Sequence, residues 1–328
     1  RRVGRDDFGT NPCSEIILRS REFCNLSEVV LRSNDTLQSI KSKVRIATII
    51  GTFQSTLTRF KYLSREWGRN CEDERLLGVS LTGIMDCALT NGTKGNIKKV
   101  LTELREVAVK TNEEYADKLG INRSVSITCV KPSGTVSQLV DSSSGIHARH
   151  NPFYIRTVRA DNKDPLCKMM KAEGFPNEPD VNKPEHTTVF SFPQKSPKGA
   201  ICRNDMTAWK QLSLWHTYAK EWCEHKPSVT VSVKEDEWVN TAAWVYDNFD
   251  DISGISFLPF SDHTYRQAPY QDCTEKEYNE LKKKMPEKVN WATLAKFETQ
   301  DYTNSSQEFA CTSEKGCEIV DISPQVTP

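Results

Sequence analysis

The sequence predicts an α/β fold in which parallel strands are covered by helices, and three observations carry that prediction. Between residues 187 and 258, segments of strand character alternate with segments of helical periodicity, the order that builds strand–helix–strand units. Residues 124–130 interleave small polar with β-branched side chains and run straight into Lys131-Pro132-Ser133-Gly134, a strand ending in a turn. The 328 residues are 37% hydrophobic and 27% charged, which suffices for one large domain or two modest ones.

Taken in order, Leu37, Ile40, Val44, Ala47 and Ile50 recur at helical spacing behind a possible cap at Asn34 or Asp35, predicting one long helix over 37–67. A second helix is predicted over 97–119. After the strand at 124–130, residues 187–192 read as a strand, 206–225 as an aromatic-rich helix, 229–233 as a strand, 235–249 as a helix and 252–258 as a strand. Composition shifts beyond Pro269. Residues 274–284 form a charged amphipathic helix, and 303–328 are polar with little periodicity, the pattern of a flexible tail. Neither an internal repeat nor a low-complexity block is present.

The 44 basic residues balance 44 acidic ones, so no global field draws nucleic acid or an anionic membrane, and any phosphate recognition must be local. No stretch approaches the run of about 20 apolar residues that a membrane helix needs. Arg1-Arg2-Val3-Gly4 leads into charge rather than a signal-peptide core, and a cytoplasmic location is expected. Eleven cysteines scattered over this length do not form the dense framework of a small secreted domain. Cys71, Cys87, Cys129, Cys167, Cys202 and Cys223 are expected to pack as small apolar residues. A chain that begins with Arg and soon enters its densest motif reads as the later part of something longer.

That motif is Asn11-Pro12-Cys13-Ser14-Glu15. Pro12 restricts Asn11 to an extended conformation, and in a strand-like stretch Asn11, Cys13 and Glu15 would share a face, placing an amide, a sulfur and a base in one pocket. The bland alternative is a buried cysteine beside a turn. Cys24, in Phe23-Cys24-Asn25-Leu26-Ser27, can return a second sulfur to that pocket across a loop-to-strand hairpin. Near the other end, Cys311 and Cys317 form a close pair on a polar stretch. They read as a mobile dithiol, or as half a zinc site, although no second Cys or His pair stands at ligand spacing nearby. No metal is expected. His147, His150, His186, His216, His225 and His263 read as surface or packing residues.

Together these segments resemble the ribonucleotide reductases, especially the monomeric adenosylcobalamin-dependent (class II) ribonucleoside-triphosphate reductases, because the two early cysteines are closely spaced. Similarity continues through Lys131-Pro132-Ser133-Gly134-Thr135-Val136-Ser137, Ser144-Gly145-Ile146-His147, Tyr154-Ile155-Arg156, in part Val233-Lys234-Glu235-Asp236-Glu237-Trp238, and Gly254-Ile255-Ser256-Phe257-Leu258-Pro259. The resemblance implies the later part of a ten-stranded α/β barrel with an internal finger loop over 1–270, a helical extension over 271–302 and a redox tail over 303–328. An N-terminal portion of the same enzyme would act as partner.

It also implies roles. Cys13 would form the transient thiyl radical that takes the 3′-hydrogen of a ribonucleotide substrate. Glu15 would accept the 3′-hydroxyl proton, and Asn11 would hold the sugar. Cys24 would supply reducing equivalents with a second cysteine upstream of this chain. Pro132, Ser133, Gly134, Thr135, Val136 and Ser137 would cradle the substrate phosphates, with hydroxyl donors at Ser133, Thr135 and Ser137. Cys311 and Cys317 would reduce the active-site disulfide and be recharged by thioredoxin. The radical source implied is adenosylcobalamin, since no glycyl-radical segment stands near the end and Tyr265 and Tyr270 are apart, unlike the adjacent tyrosines of reductases with a separate radical subunit. No Asp-x-His-x-x-Gly signature is present, so the cofactor rests on the resemblance. Two other readings stand beside this one: a non-catalytic half that needs an N-terminal partner, and a general dithiol oxidoreductase built on Cys311 and Cys317.

Overall fold

The computed structural model describes residues 8–260 and 265–299, together with the backbone of 307–312 and 316–321. In chain order the elements are β1 (Phe8–Thr10), β2 (Ile17–Arg19), β3 (Asn25–Val30), α1 (Leu37–Gln54), α2 (Arg65–Glu74), β4 (Leu77–Thr82), α3 (Ile97–Leu119), β5 (Thr128–Cys129) and α4 (Gly134–Leu139). Then follow β6 (Phe153–Asp161), α5 (Pro165–Ala172), β7 (Asn177–Pro179), β8 (Thr187–Lys195), α6 (Ala208–Glu221), β9 (Val229–Val233), α7 (Trp238–Asp247), β10 (Ile255–Pro259), β11 (Tyr270–Asp272), α8 (Glu275–Lys284), β12 (Gln307–Thr312) and β13 (Gly316–Asp321). The described residues divide into two compact units, one running to Tyr154 and resuming at Gln194, the other comprising Ile155–Pro193 and the residues from 265 onward.

The first unit is α/β, with an antiparallel β1–β2 hairpin beside a set of parallel strands. β3 pairs with β4 from Asn25↔Leu77 to Val30↔Thr82, and β4 pairs with β5 at Val79↔Thr128 and Ser80↔Cys129. A parallel bridge Val130↔Pro227 carries the order on to β9, which pairs with β10 from Val229↔Ile255 to Val233↔Pro259. The run β3-β4-β5-β9-β10 does not close on itself among the described residues, so the expected barrel is seen as an open parallel arc. Helices α1, α3, α6 and α7 pack against one another and the strands, around a core that includes Leu31, Ile40, Leu81, Leu104 and Trp215.

Local chemistry sets the helix limits. The helix expected over 37–67 ends at Gln54, because Thr48, Thr52, Ser55 and Thr56 turn their hydroxyls onto the carbonyls of Val44, Thr48, Thr52 and Phe53, and the apolar spacing stops at Ile50. A separate helix, α2, follows. The N-cap is Thr36, not Asn34 or Asp35, and it forms a reciprocal box with Ser39. α3 matches its expected range, capped by Asn96 and ended by Gly120 in the left-handed region. β4, which lies beside β3 and orders the sheet, went unpredicted because all six of its residues are buried and none alternates with polar neighbours. β6 was likewise unpredicted.

In the second unit the strand order is β11-β6-β8-β7, and Cys167, Phe175 and Phe190 form a small core. β12 and β13 are antiparallel, with Cys311 opposite Cys317. The rest of the expected tail over 303–328 lies outside the described residues.

Candidate functional site

The loop joining β1 to β2 carries Asn11, Cys13 and Glu15. It is a turn rather than an extended stretch: Ser14 N–H donates to the Asn11 carbonyl at 2.9 Å, and Ser14 holds a left-handed φ of 61°. The expected sharing of one face therefore fails. Cys13 is exposed at the tip, whereas Glu15 is fully buried. Asn11 fastens the loop, its Oδ1 accepting the Ile16 N–H at 3.1 Å, a bond that does not engage its amide NH2. Ser14 also sits against Gly254 just before β10. A methyl group at Gly254 would stand 2.8 Å from Ser14 Cβ, so this approach requires glycine.

The Glu15 carboxylate lies beside Lys131, just past the end of β5. Both oxygens are buried without a hydrogen-bond partner, and Oε1 lies 3.5 Å from the ammonium of Lys131. Lys131 follows β5, and its own N–H donates to Ser80 Oγ of β4 at 2.8 Å. The same ammonium acts on Glu28 of β3, whose carboxyl is pushed up by burial, against the opposing pull of Ser133 and Lys131. Lys131 thus stands between two carboxylates and immediately before the proposed phosphate loop.

In that loop Ser133 is buried beside the Glu28 carboxyl, while Gly134, Thr135 and Val136 are exposed at the start of α4. Ser137 is spent internally, its hydroxyl donating to the Gly134 carbonyl at 2.7 Å, so it is not available as the donor expected of it. Pro132 accepts the Gly134 N–H and shapes the turn. Behind the loop, the Arg149 guanidinium bonds Asp86 twice at 2.9 Å and Asp141 at 2.9 Å, fixing the segment that leaves α4.

Cys24 precedes β3, with its sulfur beside the bare backbone of Gly78 on β4, where an added methyl would meet it at 3.2 Å. Burial pushes the Cys129 thiol well up, and the neighbouring Cys24, Cys223 and Glu15 act in the same direction. The chain fold therefore gathers Cys24, Glu15, Lys131, Glu28 and Ser133 on the sheet side of the β1–β2 hairpin, with Cys13 at the hairpin tip. Cys129 belongs to this cluster as well as to the core. Lys131, Glu28, Gly78 and Gly254 are contributors that residue type alone did not single out, although Gly254 was signalled by lying within the strand expected over 252–258. The backbone of Cys311 and Cys317 is paired in the other unit.

No family model matches the chain. It is 29% identical over 286 residues to the adenosylcobalamin-dependent ribonucleoside-triphosphate reductase of Euglena gracilis, spanning 86% of this chain and 38% of that one. It is 31% identical over 290 residues to the probable adenosylcobalamin-dependent ribonucleoside-triphosphate reductase of Dictyostelium discoideum, spanning 84% of this chain and 36% of that one. The chain thus spans less than half the length of the relatives it matches. The crystal structure of a B12-dependent (class II) ribonucleotide reductase superposes with a TM-score of 0.75 over 89% of this chain and 44% of that chain, at 23% identity.

The fold is accordingly the mixed α/β fold of a class II reductase. The chain is similar to part of the adenosylcobalamin-dependent ribonucleoside-triphosphate reductases.

Proposed function

We propose that this chain carries the later part of the catalytic machinery of an adenosylcobalamin-dependent ribonucleoside-triphosphate reductase. In this reading 1–270 form part of a ten-stranded barrel, 271–302 a helical extension and 303–328 a redox tail. The observation that supports it most is Glu15: a carboxylate fully buried, unpartnered by hydrogen bonds, two residues from an exposed thiol and facing the lysine that opens a phosphate loop. A buried carboxylate that has an ion pair but no hydrogen-bond partner fits a role toward a bound ligand.

The reaction balances as ribonucleotide plus dithiol giving 2′-deoxyribonucleotide, disulfide and water. Adenosylcobalamin, when bound, supplies the carbon-centred radical that a thiol such as Cys13 can quench by giving up its hydrogen atom. Exposure of Cys13 fits that exchange, and no side chain of this chain is assigned to the corrin itself. Cys13 then removes the 3′-hydrogen of the ribose while Glu15 takes the 3′-hydroxyl proton and Asn11 holds the sugar oxygen through its amide NH2. Cys24 and a second cysteine supplied by the rest of the enzyme together give two electrons and two protons, replacing the 2′-hydroxyl, lost as water, by hydrogen and closing a disulfide. Glu15 then returns its proton to the 3′-oxygen and Cys13 its hydrogen to C3′. Lys131, Ser133 and the exposed first turn of α4 receive the phosphates. Thioredoxin or a similar dithiol recharges the site through Cys311 and Cys317, in the cytoplasm. No described helix is long and apolar enough to cross a membrane.

The test is formation of deoxynucleotide from a ribonucleoside triphosphate with adenosylcobalamin and a dithiol, by this chain alone and with the remaining portion of a full-length reductase added. Product in either arm supports the reading. A folded complex that yields none overturns it.

A further inference from the structure

The segment between α6 and β9 grips the hairpin loop from the sheet side. Glu224 and His225 both donate their backbone N–H to the Thr128 carbonyl, at 3.1 and 2.9 Å, and Glu224 Oε2 accepts the Ile127 N–H at 3.0 Å, so this segment is fixed to β5. From that base Lys226 N–H donates to the Glu15 carbonyl at 3.0 Å. The imidazole of His225, only 2% exposed, spans the remaining gap: Nε2 lies 2.9 Å from the Leu77 carbonyl of β4, and Nδ1 lies 3.4 Å from the backbone nitrogen of Ile17. A carbonyl can only accept and an N–H can only donate. The ring is therefore neutral, with its proton on Nε2 and a bare Nδ1.

The loop's own bonds do not perform this task. Asn11 N–H to the Ile16 carbonyl, Ile16 N–H to Asn11 Oδ1 and Ser14 N–H to the Asn11 carbonyl all close the loop on itself. The hairpin behind it pairs over three residues in each strand, and β1 is exposed. Two residues flanking the loop's buried end, Glu15 and Ile17, are the ones held by 225–226.

We infer that His225 is a positioning residue for the reacting loop: a neutral imidazole strut from Leu77 to Ile17 that, with the Lys226 N–H on Glu15, sets where the Glu15 carboxylate and the Cys13 thiol stand relative to the parallel strands. This rests on the assignment of Cys13 and Glu15 proposed above, but its tests do not depend on turnover, so an inactive chain with an intact strut would separate the two.

The first test uses the unaltered chain. Nitrogen-15 labelling of its histidines should show one ring as the Nε2–H tautomer, its signals assigned to His225 by their loss in His225→Phe or His225→Gln. The Nδ1–H tautomer at His225 would set two N–H groups against each other at Ile17 and overturn the inference. The second is hydrogen exchange. His225→Phe keeps the ring volume and removes both polar contacts, so amides over 11–17 should exchange about tenfold faster while those of β5 and α3 keep their protection. His225→Gln, which retains an acceptor and a donor, should recover protection over 11–17 to within about threefold of wild type. Unchanged exchange over 11–17 in His225→Phe, or equal loosening of β5 and α3, overturns the positioning role.

Discussion

The ammonium of Lys131 lies 3.5 Å from Oε1 of Glu15, so the residue that opens the proposed phosphate loop and the carboxylate of the hairpin loop meet as a charge pair. Glu15 is fully buried whereas the Lys131 side chain is 38% exposed, and the pair is therefore asymmetric: the carboxylate depends on the lysine more than the lysine on the carboxylate. Lys131→Met removes the one cation paired with Glu15 among the described ion pairs and should cost about 1–3 kcal/mol of unfolding free energy at neutral pH. Glu15→Gln in the same chain should recover most of that loss. Urea unfolding of the two single variants and the double variant measures the coupling, and additive effects would mean the two side chains do not interact.

That pairing shows which features a sequence discloses. α3 is legible because its signals are local, Asn96 at its start, Gly120 at its end and an apolar stripe between. The meeting of Lys131 with Glu15 is set by the parallel register of β3, β4 and β5 and by the 225–226 strap, none of which a local pattern encodes. β4 is fully buried, and its uniform burial erases the alternation that marks a strand. The hairpin loop itself was legible as a motif but not as a shape. The alternate positions of Asn11, Cys13 and Glu15 suggest one face, and a single left-handed residue, Ser14, separates an exposed thiol from a buried carboxylate.

Gly254→Ala tests the seat of that loop. The new methyl would lie 2.8 Å from Ser14 Cβ and 3.1 Å from the Ser14 carbonyl oxygen, and Ser14, at φ 61°, has little freedom to yield. The loop tip should shift, with a stability loss of about 1–3 kcal/mol and an altered rate of Cys13 alkylation by iodoacetamide. Unaltered alkylation with unaltered stability would show that the contact does not hold the tip.

Arg149 is nearly inaccessible and satisfies Asp86, Asp141 and the Tyr154 hydroxyl, while Asp86 also receives the Ser143 N–H. Arg149→Met removes the only cation facing Asp86 among the described ion pairs and strands a buried carboxylate, at a cost of about 3–5 kcal/mol. Because the same guanidinium holds Asp141 at the exit of α4, nucleotide affinity should fall with stability. Chemical unfolding and nucleotide titration report the two effects, and a variant as stable as wild type would contradict the assignment.

Acid should act through His147. Its Nδ1 lies 3.0 Å from the Ser144 carbonyl and its Nε2 accepts the Thr230 N–H at 3.0 Å, an arrangement that requires the neutral ring. Burial holds its pKa below the ordinary histidine value, against a smaller opposing effect of Ser144. The folded value therefore lies below the unfolded one, and its contribution is complete above about pH 6.5 and lost as pH falls toward the depressed folded value. Glu28 has the opposite sign, its raised folded value removing stability as pH rises through it. A His147→Gln variant isolates the first effect: its unfolding free energy should fall less steeply than that of wild type below about pH 6.5, and parallel profiles would exclude the role.

The thiol proposed to react is separable from the thiols proposed to carry electrons. Cys311 and Cys317 are opposed across the β12–β13 pairing, and directly facing residues in an antiparallel pair stand about 4.5–5.5 Å apart at Cα, within the span of a disulfide. Such a pair can accept electrons from thioredoxin and hand them on by thiol–disulfide exchange, a task that a small dithiol can replace. Cys311→Ser should therefore abolish multiple turnover with thioredoxin yet retain one turnover, or continued turnover with dithiothreitol, in the complex completed by the rest of the reductase. Cys13→Ser should remove product with every reductant, because no dithiol restores the sulfur proposed to abstract hydrogen. Glu15→Gln should slow the reaction while leaving nucleotide binding intact. Equal loss for Cys311→Ser and Cys13→Ser in the dithiothreitol assay would place both thiols at the same step and refute the division of labour between hairpin and tail.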